Sequence, residues 1–233
     1  MFSQLLASEA VTEAIEILKN EFLLATWETI YVTILSTLFS IIIGLPLGVL
    51  IVVGEKKGIM PLPKPVLSVI NVIINLLRSV PFLILMILVI PLTRLIVGTA
   101  VGTKASIVPL VIAAAPFVAR LVESSLRELN PNIIEAAQAM GASPFQIITK
   151  VMIPESVPSL MSNMTIAITT ILGYSAMSGI IGGGGLGKIA INYGYYRYKY
   201  LVMVCAVILL IVLVQIFQTI GTKLTTKLDN RLR

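Results

Sequence analysis

The feature that most constrains this chain is a series of long apolar runs, separated by short segments that carry most of its charge. Hydrophobic residues make up 57% of the 233 residues and charged residues 12%, whereas soluble domains carry about 25% charged residues. A helix of about 20 apolar residues matches the hydrocarbon thickness of a bilayer. Continuous runs favour helices over the alternating pattern of a membrane β-barrel. The sequence therefore predicts an all-α integral membrane protein.

Five transmembrane helices are predicted, at residues 22–53, 66–97, 105–122, 157–181 and 200–220. Arg78 interrupts the second run, and three roles are open for it: snorkelling to the cytoplasmic interface, pairing within the bundle, or facing a cavity. A cluster of small residues in the third run predicts a close contact between helices; it comprises Ala113, Ala114, Ala115 and Ala119. Kinks are expected at the prolines in or near the runs, which are Pro46, Pro81, Pro109 and Pro116.

The distribution of basic residues predicts the orientation in the membrane. Ten of the 17 Lys and Arg residues lie in three segments, 54–65, 120–156 and 221–233, and basic residues concentrate on the cytoplasmic side. The N-terminus is therefore expected outside and the C-terminus in the cytoplasm. The net charge of +6 follows from the same rule, so it does not indicate a nucleic-acid partner.

One transmembrane domain is predicted at residues 22–220, with a cytoplasmic loop at 127–156 and a basic cytoplasmic tail at 221–233. Residues 1–21 have apolar side chains at helical spacing with glutamates between them. This pattern predicts either an amphipathic helix on the outer membrane surface or a flexible terminus. The chain has no histidine and a single cysteine, Cys205, which excludes an internal disulfide and a metal site built from these residue types.

A glycine-rich stretch, IIGGGGLGKI at residues 180–189, matches the spacings GxGxxG and GxxxxGK of phosphate-binding loops. A dinucleotide-binding loop follows a strand and opens a helix, and a P-loop needs Ser or Thr after its lysine. No strand is predicted before Gly182, and Ile189 follows Lys188. The stretch is also expected on the outer side, where there is no ATP pool. We interpret it as a turn or a site of close helix approach.

The cytoplasmic loop has clear local signals for two short helices. Asn130, which precedes a proline, is typical of a helix start, and Gly141 of a left-handed helix end. Ser143 and Pro144 favour a second start, with a helix that continues to Pro154. The loop is therefore predicted to consist of two short helices with a bend at a glycine between them.

The first of these helices, residues 131–140, has Glu135 as its only charged residue. Its composition leaves two interpretations open: a helix lying on the membrane, or a docking element that enters a partner's groove with Glu135 as its polar group. The stretch EAAQAMGASPFQIITKVMIP resembles the EAA loop of permease subunits of ATP-binding-cassette (ABC) importers, with Val151 and Ile153 replacing the family's Ile and Leu. In that family the loop is the coupling helix, which sits in a cleft of the ATPase subunit. The resemblance implies that the ATPase-coupling residues are Glu135, Ala136, Ala137, Met140, Gly141 and Ala142.

Three further segments resemble the methionine importer branch: NLLRSVPFLILMILVIPLTRLIVGT, IVPLVIAAAPFVARLVE and GYSAMSGIIGGGGLG. The resemblance implies a multi-pass protein of the bacterial plasma (inner) membrane that works by alternating access. The implied partners are a second permease copy, two ATPase subunits, an external substrate-binding lipoprotein and membrane lipid. It also implies that ATP and Mg bind to the ATPase, so this chain has no cofactor, metal or catalytic residue and is not an enzyme.

Other functions remain open. The same machine could carry glycine betaine or another amino acid. An ATP-independent channel or carrier, or a structural membrane protein, is a different class; ion-coupled carriers often have acidic residues at mid-membrane, and the predicted span centres have none. In the fourth run, Tyr174, Ser175 and Met177 are candidates for lining a pathway, although Ser and Thr hydroxyls also bond to their own helix.

Overall fold

The computed structural model describes residues 2–228, with side chains described for residues 11, 12 and 14–228. Within this part of the chain every regular element is a helix and there is no strand. In chain order the α-helices are α1 (Phe2–Val53), α2 (Lys64–Ser79), α3 (Phe82–Leu88), α4 (Ile90–Val97), α5 (Thr103–Arg127), α6 (Pro131–Ala139), α7 (Pro144–Ile147), α8 (Ile153–Glu155), α9 (Val157–Met177), α10 (Gly185–Ile189) and α11 (Tyr200–Leu228). Short π-helical segments lie at Ile148–Met152 and Ala190–Tyr195, and a 3₁₀ turn at Ser178–Ile181. The prediction of an all-α protein is confirmed.

Four segments among the described residues are long and apolar enough to cross a membrane alone, and the broken pair α2–α3 makes a fifth. The four are Ala14–Val53, Thr103–Arg127, Val157–Ile181 and Tyr200–Leu228. Four of the five predicted spans are therefore found as continuous helical segments, and the second predicted span corresponds to the bent pair α2–α3 when that pair is counted as one span; several boundaries differ. The fifth span continues to Leu228, past the predicted start of the tail at residue 221, and Arg231 and Arg233 lie outside the described residues.

The predicted boundary between an N-terminal segment at 1–21 and the first span does not appear as a helix break. Helix α1 is continuous from Phe2 to Val53. The physical reason is the absence of any Gly or Pro before Gly44, since these are the residues that most strongly interrupt helices. The helix also continues through Pro46.

The second predicted span, residues 66–97, is not a single helix. Helix α2 ends at Ser79, and Val80 adopts an extended backbone with φ −79° and ψ 128°. A residue before proline is pushed towards that region, and Pro81 has no N–H to continue the helical ladder. The break predicted at Pro81 is thus found, and a second one precedes α4, whose first turn contains a proline.

The described chain forms two compact units. The first unit contains residues 2–36, 82–111 and 169–216, which include the glycine-rich stretch. The second contains residues 37–81, 112–168 and 217–228, which include the cytoplasmic loop. Each of α1, α5, α9 and α11 contributes residues to both units.

The close helix contact predicted from the alanine cluster is present in the second unit. A Cβ atom at Gly44 would lie 2.8 Å from the carbonyl oxygen of Ala115, and one at Gly48 would lie 2.5 Å from that of Ala119. Both distances are too short for a real Cβ, so the backbones of α1 and α5 approach as closely as glycine permits. The alanines indicated the contact, but the Gly44-x₃-Gly48 partner on α1 was not recognised in the sequence.

Candidate functional site: the coupling loop

The first helix of the cytoplasmic loop, α6, begins and ends as its local signals predict. The Asn130 side chain accepts a hydrogen bond from the Asn132 backbone N–H at 3.0 Å, which satisfies a donor of the first turn. Gly141 has φ +75°, and its N–H donates to the Gln138 carbonyl at 2.9 Å. The Ala142 N–H then donates to the Ala137 carbonyl at 3.1 Å. A left-handed glycine therefore ends α6 and turns the chain.

The second helix of the loop starts with a reciprocal capping box. The Ser143 hydroxyl accepts from the Gln146 N–H at 3.4 Å, and the Gln146 side chain accepts from the Ser143 N–H at 2.9 Å. Helical structure then continues through the π-helical segment to Glu155, one residue beyond the predicted end. The π segment was not predicted. It lies just before Pro154, which has no N–H to donate to the Lys150 carbonyl of a regular α-helix.

Buried apolar side chains hold this loop to the second unit. Ala137 is 3% exposed, and Ile147 and Met152 are also buried. They belong to one apolar cluster with Leu126 at the end of α5 and Leu129 just after it. Each of the two loop helices is therefore tied to the end of a membrane span by side chains packed from its inner face.

The opposite face of the loop is exposed. Met140 is 81% exposed and Phe145 74%, and neighbouring exposed apolar side chains can mark an interaction site. Of the six predicted coupling residues, Glu135, Ala136, Met140 and Gly141 are exposed, Ala142 is partly buried, and Ala137 is buried. The coupling loop is therefore held by buried apolar side chains on one face and exposes the apolar side chains of Met140 and Phe145 on another.

A cleft of about 350 Å³ lies behind α6. Glu135 and Gln138 line it from α6, and Arg127 and Glu55 line it from the end of α5 and the segment after α1. Glu135 therefore belongs both to the exposed face of the loop and to this polar cleft. No cluster of metal-binding side chains occurs among the described residues.

The candidate pathway residues lie in the first unit but are not equivalent. Tyr174 stacks on Phe82 with ring centroids 4.4 Å apart. Ser175 is buried, and its hydroxyl donates to the Leu172 carbonyl of its own helix at 2.8 Å, which is the alternative the sequence left open. Met177 is exposed. Tyr174 and Met177 thus retain groups that a solute could contact, whereas the Ser175 hydroxyl is already bonded.

The glycine-rich stretch forms a turn packed tightly against α1. The Gly185 backbone N–H donates to the Glu28 carboxylate at 2.8 Å, and the Leu186 N–H donates to the Thr29 hydroxyl at 2.9 Å. Gly182 and Gly185 have φ of +83° and +82°, and a Cβ at Gly187 would collide with the Ala176 carbonyl. The donors that could hold a phosphate at the start of α10 are bonded to α1, in keeping with the interpretation as a turn.

A polar cluster in the second unit was missed in the sequence. Arg120, expected simply as a cytoplasmic flanking charge, lies within α5 and contacts Glu123, Asn71 and Asn75. The predicted third span stopped at residue 122, so Glu123 was not considered with it. The signal was available, because Arg120 and Glu123 are three residues apart and Asn71 and Asn75 four apart, and both spacings place side chains on one helix face. Arg78 is exposed and forms no ion pair with a described residue.

Comparison with known proteins decides the family. A family model described as "Binding-protein-dependent transport system inner membrane component" matches residues 40–226. The chain belongs to this family. It is therefore a multi-pass inner membrane component of a transport system, which agrees with its apolar helices.

Individual relatives of this transport component are similar over two thirds or more of its length. It is 48% identical over 215 residues to the "Probable D-methionine transport system permease protein MetI" of Vibrio cholerae, covering 92% of this chain and 95% of the relative. It is 48% identical over 153 residues to the "D-methionine transport system permease protein MetI" of Escherichia coli, covering 66% of this chain and 70% of the relative.

Solved structures agree with this assignment. The chain is similar to a chain of the MetNI methionine ABC transporter in an inward-facing conformation, with a TM-score of 0.87 and 44% identity, over 90% of this chain and 96% of that chain. A structure of an amino acid ABC transporter with histidines has a TM-score of 0.70 at 19% identity, over 97% of each chain. At 19% identity, the similarity to this second structure supports a shared fold and nothing more specific.

Proposed function

We propose that this chain is the membrane-spanning subunit of an ATP-driven ABC importer for methionine. The observation that carries the proposal is the anchored coupling loop with its exposed Met140 and Phe145, in a chain that is 48% identical over 92% of its length to a protein named as a probable D-methionine transport permease. The coupling loop gives the chain a means of receiving force from a soluble partner. The names of the relatives support methionine as the transported solute.

The proposed assembly contains two copies of this permease and two ATPase subunits. Similarity to a chain of the MetNI methionine ABC transporter supports an ATPase partner. ATP and Mg bind to the ATPase, and this chain hydrolyses nothing itself. An external substrate-binding lipoprotein delivers the solute, and membrane lipid surrounds the spans. In this arrangement the N-terminus lies outside and the C-terminus in the cytoplasm.

The mechanism follows from how the coupling loop is held. When ATP binds and the ATPase subunits close, α6 moves together with the groove of the ATPase subunit in which it sits. Ala137 and Ile147 belong to the same buried apolar cluster as Leu126 at the end of α5, and packed interiors transmit displacement because they contain little free volume. The end of α5 therefore follows α6, and a cytoplasmic movement becomes a change in the membrane helices. This is alternating access, with hydrolysis resetting the complex.

The substrate proposal assigns roles to the pathway candidates. Met177 offers a polarisable thioether and Tyr174 an aromatic ring, and both groups pack well against the thioether side chain of methionine. Ser175 contributes packing rather than a free hydroxyl. Glycine betaine carries a quaternary ammonium group, which favours aromatic cages; at the pathway candidates Phe82 stacks on Tyr174, so the two facing rings are in contact with each other and are not open to a cation.

The coupling proposal is tested with a double variant, Met140→Ala and Phe145→Ala, co-expressed with the ATPase subunit. Both side chains are exposed, so folding is expected to be unchanged while co-purification of the ATPase and ATP-dependent uptake fall strongly. The matched control is Leu95→Ala, a large apolar residue that is 82% exposed in the first unit. Normal ATPase binding and uptake by the double variant would contradict the proposal.

A further inference from the structure

The polar cluster around Arg120 has a geometry that suggests a specific task. One guanidinium nitrogen, Nη1, donates to Glu123 Oε2 at 2.5 Å. The other, Nη2, donates to Asn71 Oδ1 at 2.8 Å and to Asn75 Oδ1 at 2.9 Å. Arg120 and Glu123 belong to α5, whereas both asparagines belong to α2. The planar fork of one side chain therefore joins two helices of the second unit.

The asparagines are oriented to receive this fork. The Asn71 side-chain amide donates to the Leu67 carbonyl at 2.9 Å, which leaves its Oδ1 to accept from Arg120. Asn71 and Asn75 are one helical turn apart, on the same face of α2. That face also carries Ile74, the one residue of α2 that is buried, which packs with Ile51.

Much of the remaining apolar surface of α2 is exposed. Val66, Val69, Val72, Ile73 and Leu76 are exposed, whereas Leu67, Ile70 and Leu77 are partly buried, and Ile70 packs against the Ile74 cluster. Besides this modest apolar packing, α2 is held to the second unit by the two hydrogen bonds from Arg120. A hydrogen bond to a charged group is about twice as strong as a neutral one, so Arg120 supplies a large part of the attachment.

The cluster extends from Arg120 to the base of the coupling loop. Glu123 is 9% exposed, and its Oε1 accepts from Arg127 at 2.8 Å. Arg127 in turn donates to Glu55 at 2.5 Å. Arg127 is the last residue of α5, three residues before the Asn130 cap of α6, and it lines the 350 Å³ cleft behind that helix. A continuous chain of charged hydrogen bonds thus runs from α2 to the coupling loop.

We propose that Arg120 is a positioning residue that makes α2 move with the coupling loop, an inference that rests on the proposed function. Charged groups inside a span are costly and persist where they are paired. Here the pairing joins α2 to the end of α5, which moves together with α6. Helix α2 in turn leads into the helix break at Val80 and Pro81. Without the Arg120 bridge, the coupling loop still moves with the ATPase, but α2 no longer follows it.

The test removes the α2 side of the Arg120 bridge while keeping its α5 side, in the complete transporter reconstituted in lipid vesicles. The double variant Asn71→Ala and Asn75→Ala removes the acceptors on α2 and leaves the Arg120–Glu123 pair intact. ATP hydrolysis is expected to stay within about twofold of wild type, whereas the amount of solute moved per ATP falls by about tenfold. Arg120→Lys keeps the charge but lacks a fork that can reach Glu123 and both amides, so an intermediate loss is expected.

The matched control is Ser79→Ala on the same helix, whose hydroxyl donates to the Asn75 carbonyl of its own helix at 2.7 Å. It is expected to keep the wild-type ratio of solute to ATP. Thermal unfolding of each complex is measured in parallel, because a purely structural role predicts that stability, hydrolysis and transport fall together. That joint loss, or an unchanged ratio in the double asparagine variant, would overturn the inference.

A second readout does not depend on the cargo. A spin label at Leu76→Cys in a Cys205→Ser background reports the environment of α2, since Leu76 is exposed there. In the assembled complex, ATP is expected to change the spectrum of this label, and the double asparagine variant to abolish that change. A response to ATP that survives in the variant would refute the bridge even if methionine proved to be the wrong cargo.

Discussion

The Glu28 carboxylate accepts a hydrogen bond from the Gly185 backbone N–H at 2.8 Å, across a separation of 157 residues in sequence. Its other oxygen accepts from the Thr103 hydroxyl at 2.7 Å. One carboxylate of α1 therefore holds both the glycine-rich turn and the start of α5. The resemblance of that turn to a nucleotide loop has a structural cause: the donors face an anion, but the anion belongs to the protein.

Replacing Glu28 by Ala is expected to loosen this turn. The Gly185 N–H and the Thr103 hydroxyl lose their acceptor, and an unsatisfied donor costs about 1–3 kcal/mol. Amide hydrogen exchange at Gly185 and Leu186 is expected to accelerate by about tenfold or more, since about 1.4 kcal/mol corresponds to a tenfold change. Glu135→Ala, on exposed α6, is the control. Unchanged exchange at these amides in the Glu28 variant would show that the contact is unimportant.

The close contact between α1 and α5 predicts a large effect of a single methyl group. A Cβ at Gly48 would lie 2.5 Å from the Ala119 carbonyl, so Gly48→Ala must push the helices apart, and overpacking costs about 1–3 kcal/mol. Gly173 in α9 is the matched control, because nothing lies within 4 Å of its Cβ position. Gly173→Ala is expected to be neutral or to stabilise by about 0.5–1 kcal/mol. Unfolding in detergent measures the stability of both variants. Equal stabilities of Gly48→Ala and Gly173→Ala would contradict the packing argument.

Gly141→Val is expected to impair transport without preventing membrane insertion. Its Cβ would meet nothing within 4 Å, but its φ is +75°, so the cost lies in the backbone and amounts to about 1–2 kcal/mol. We expect the strained turn at residue 141 to change the orientation of α6. Gly141→Asn is the control, because asparagine tolerates the left-handed region better. Quantitative uptake assays on variants of matched membrane abundance measure the effect, and normal uptake by the valine variant would count against it.

Tyr193, which lies outside the spans, makes a pH-dependent contact with Glu21. Its hydroxyl donates to the Glu21 carboxylate, and this hydrogen bond, with burial, raises the pKa of Tyr193 above its ordinary value. The neutral hydroxyl keeps the contact at neutral pH. As pH rises through the raised pKa, a phenolate forms beside a carboxylate and the contact is lost. The difference in tyrosinate absorbance between wild type and Tyr193→Phe is expected to titrate above pH about 10, and lower in a Glu21→Gln background; no effect of Glu21→Gln would contradict this.

Local signals in the sequence predicted what local forces determine. The caps at Asn130, Gly141 and Ser143 act on backbone groups within a few residues, so their neighbours in sequence are sufficient to recognise them. The break at Pro81 follows from the same kind of short-range constraint. The predicted domain boundaries at 21 and 220 fall inside continuous helices, because a change in composition does not itself end a helix.

Contacts that depend on distant residues were not predicted. Asn71 and Arg120 are 49 residues apart, and no feature of either neighbourhood identifies the other. The alanines of α5 indicated a close contact, yet the partner Gly48 became evident only from the packing. The coupling and pathway roles of Glu135, Tyr174 and the residues grouped with them stay predictions; the variants at Met140, Phe145 and Gly141 test the coupling role.

The most direct test of the proposed function is ATP-dependent uptake of labelled methionine by vesicles containing this permease and its ATPase, with the binding protein outside. Glycine betaine and other amino acids serve as competitors. We expect uptake that requires ATP and is blocked only by methionine analogues. ATP-dependent uptake of a different solute would contradict the cargo, and no ATP-dependent movement of any solute by an intact complex would contradict the importer itself.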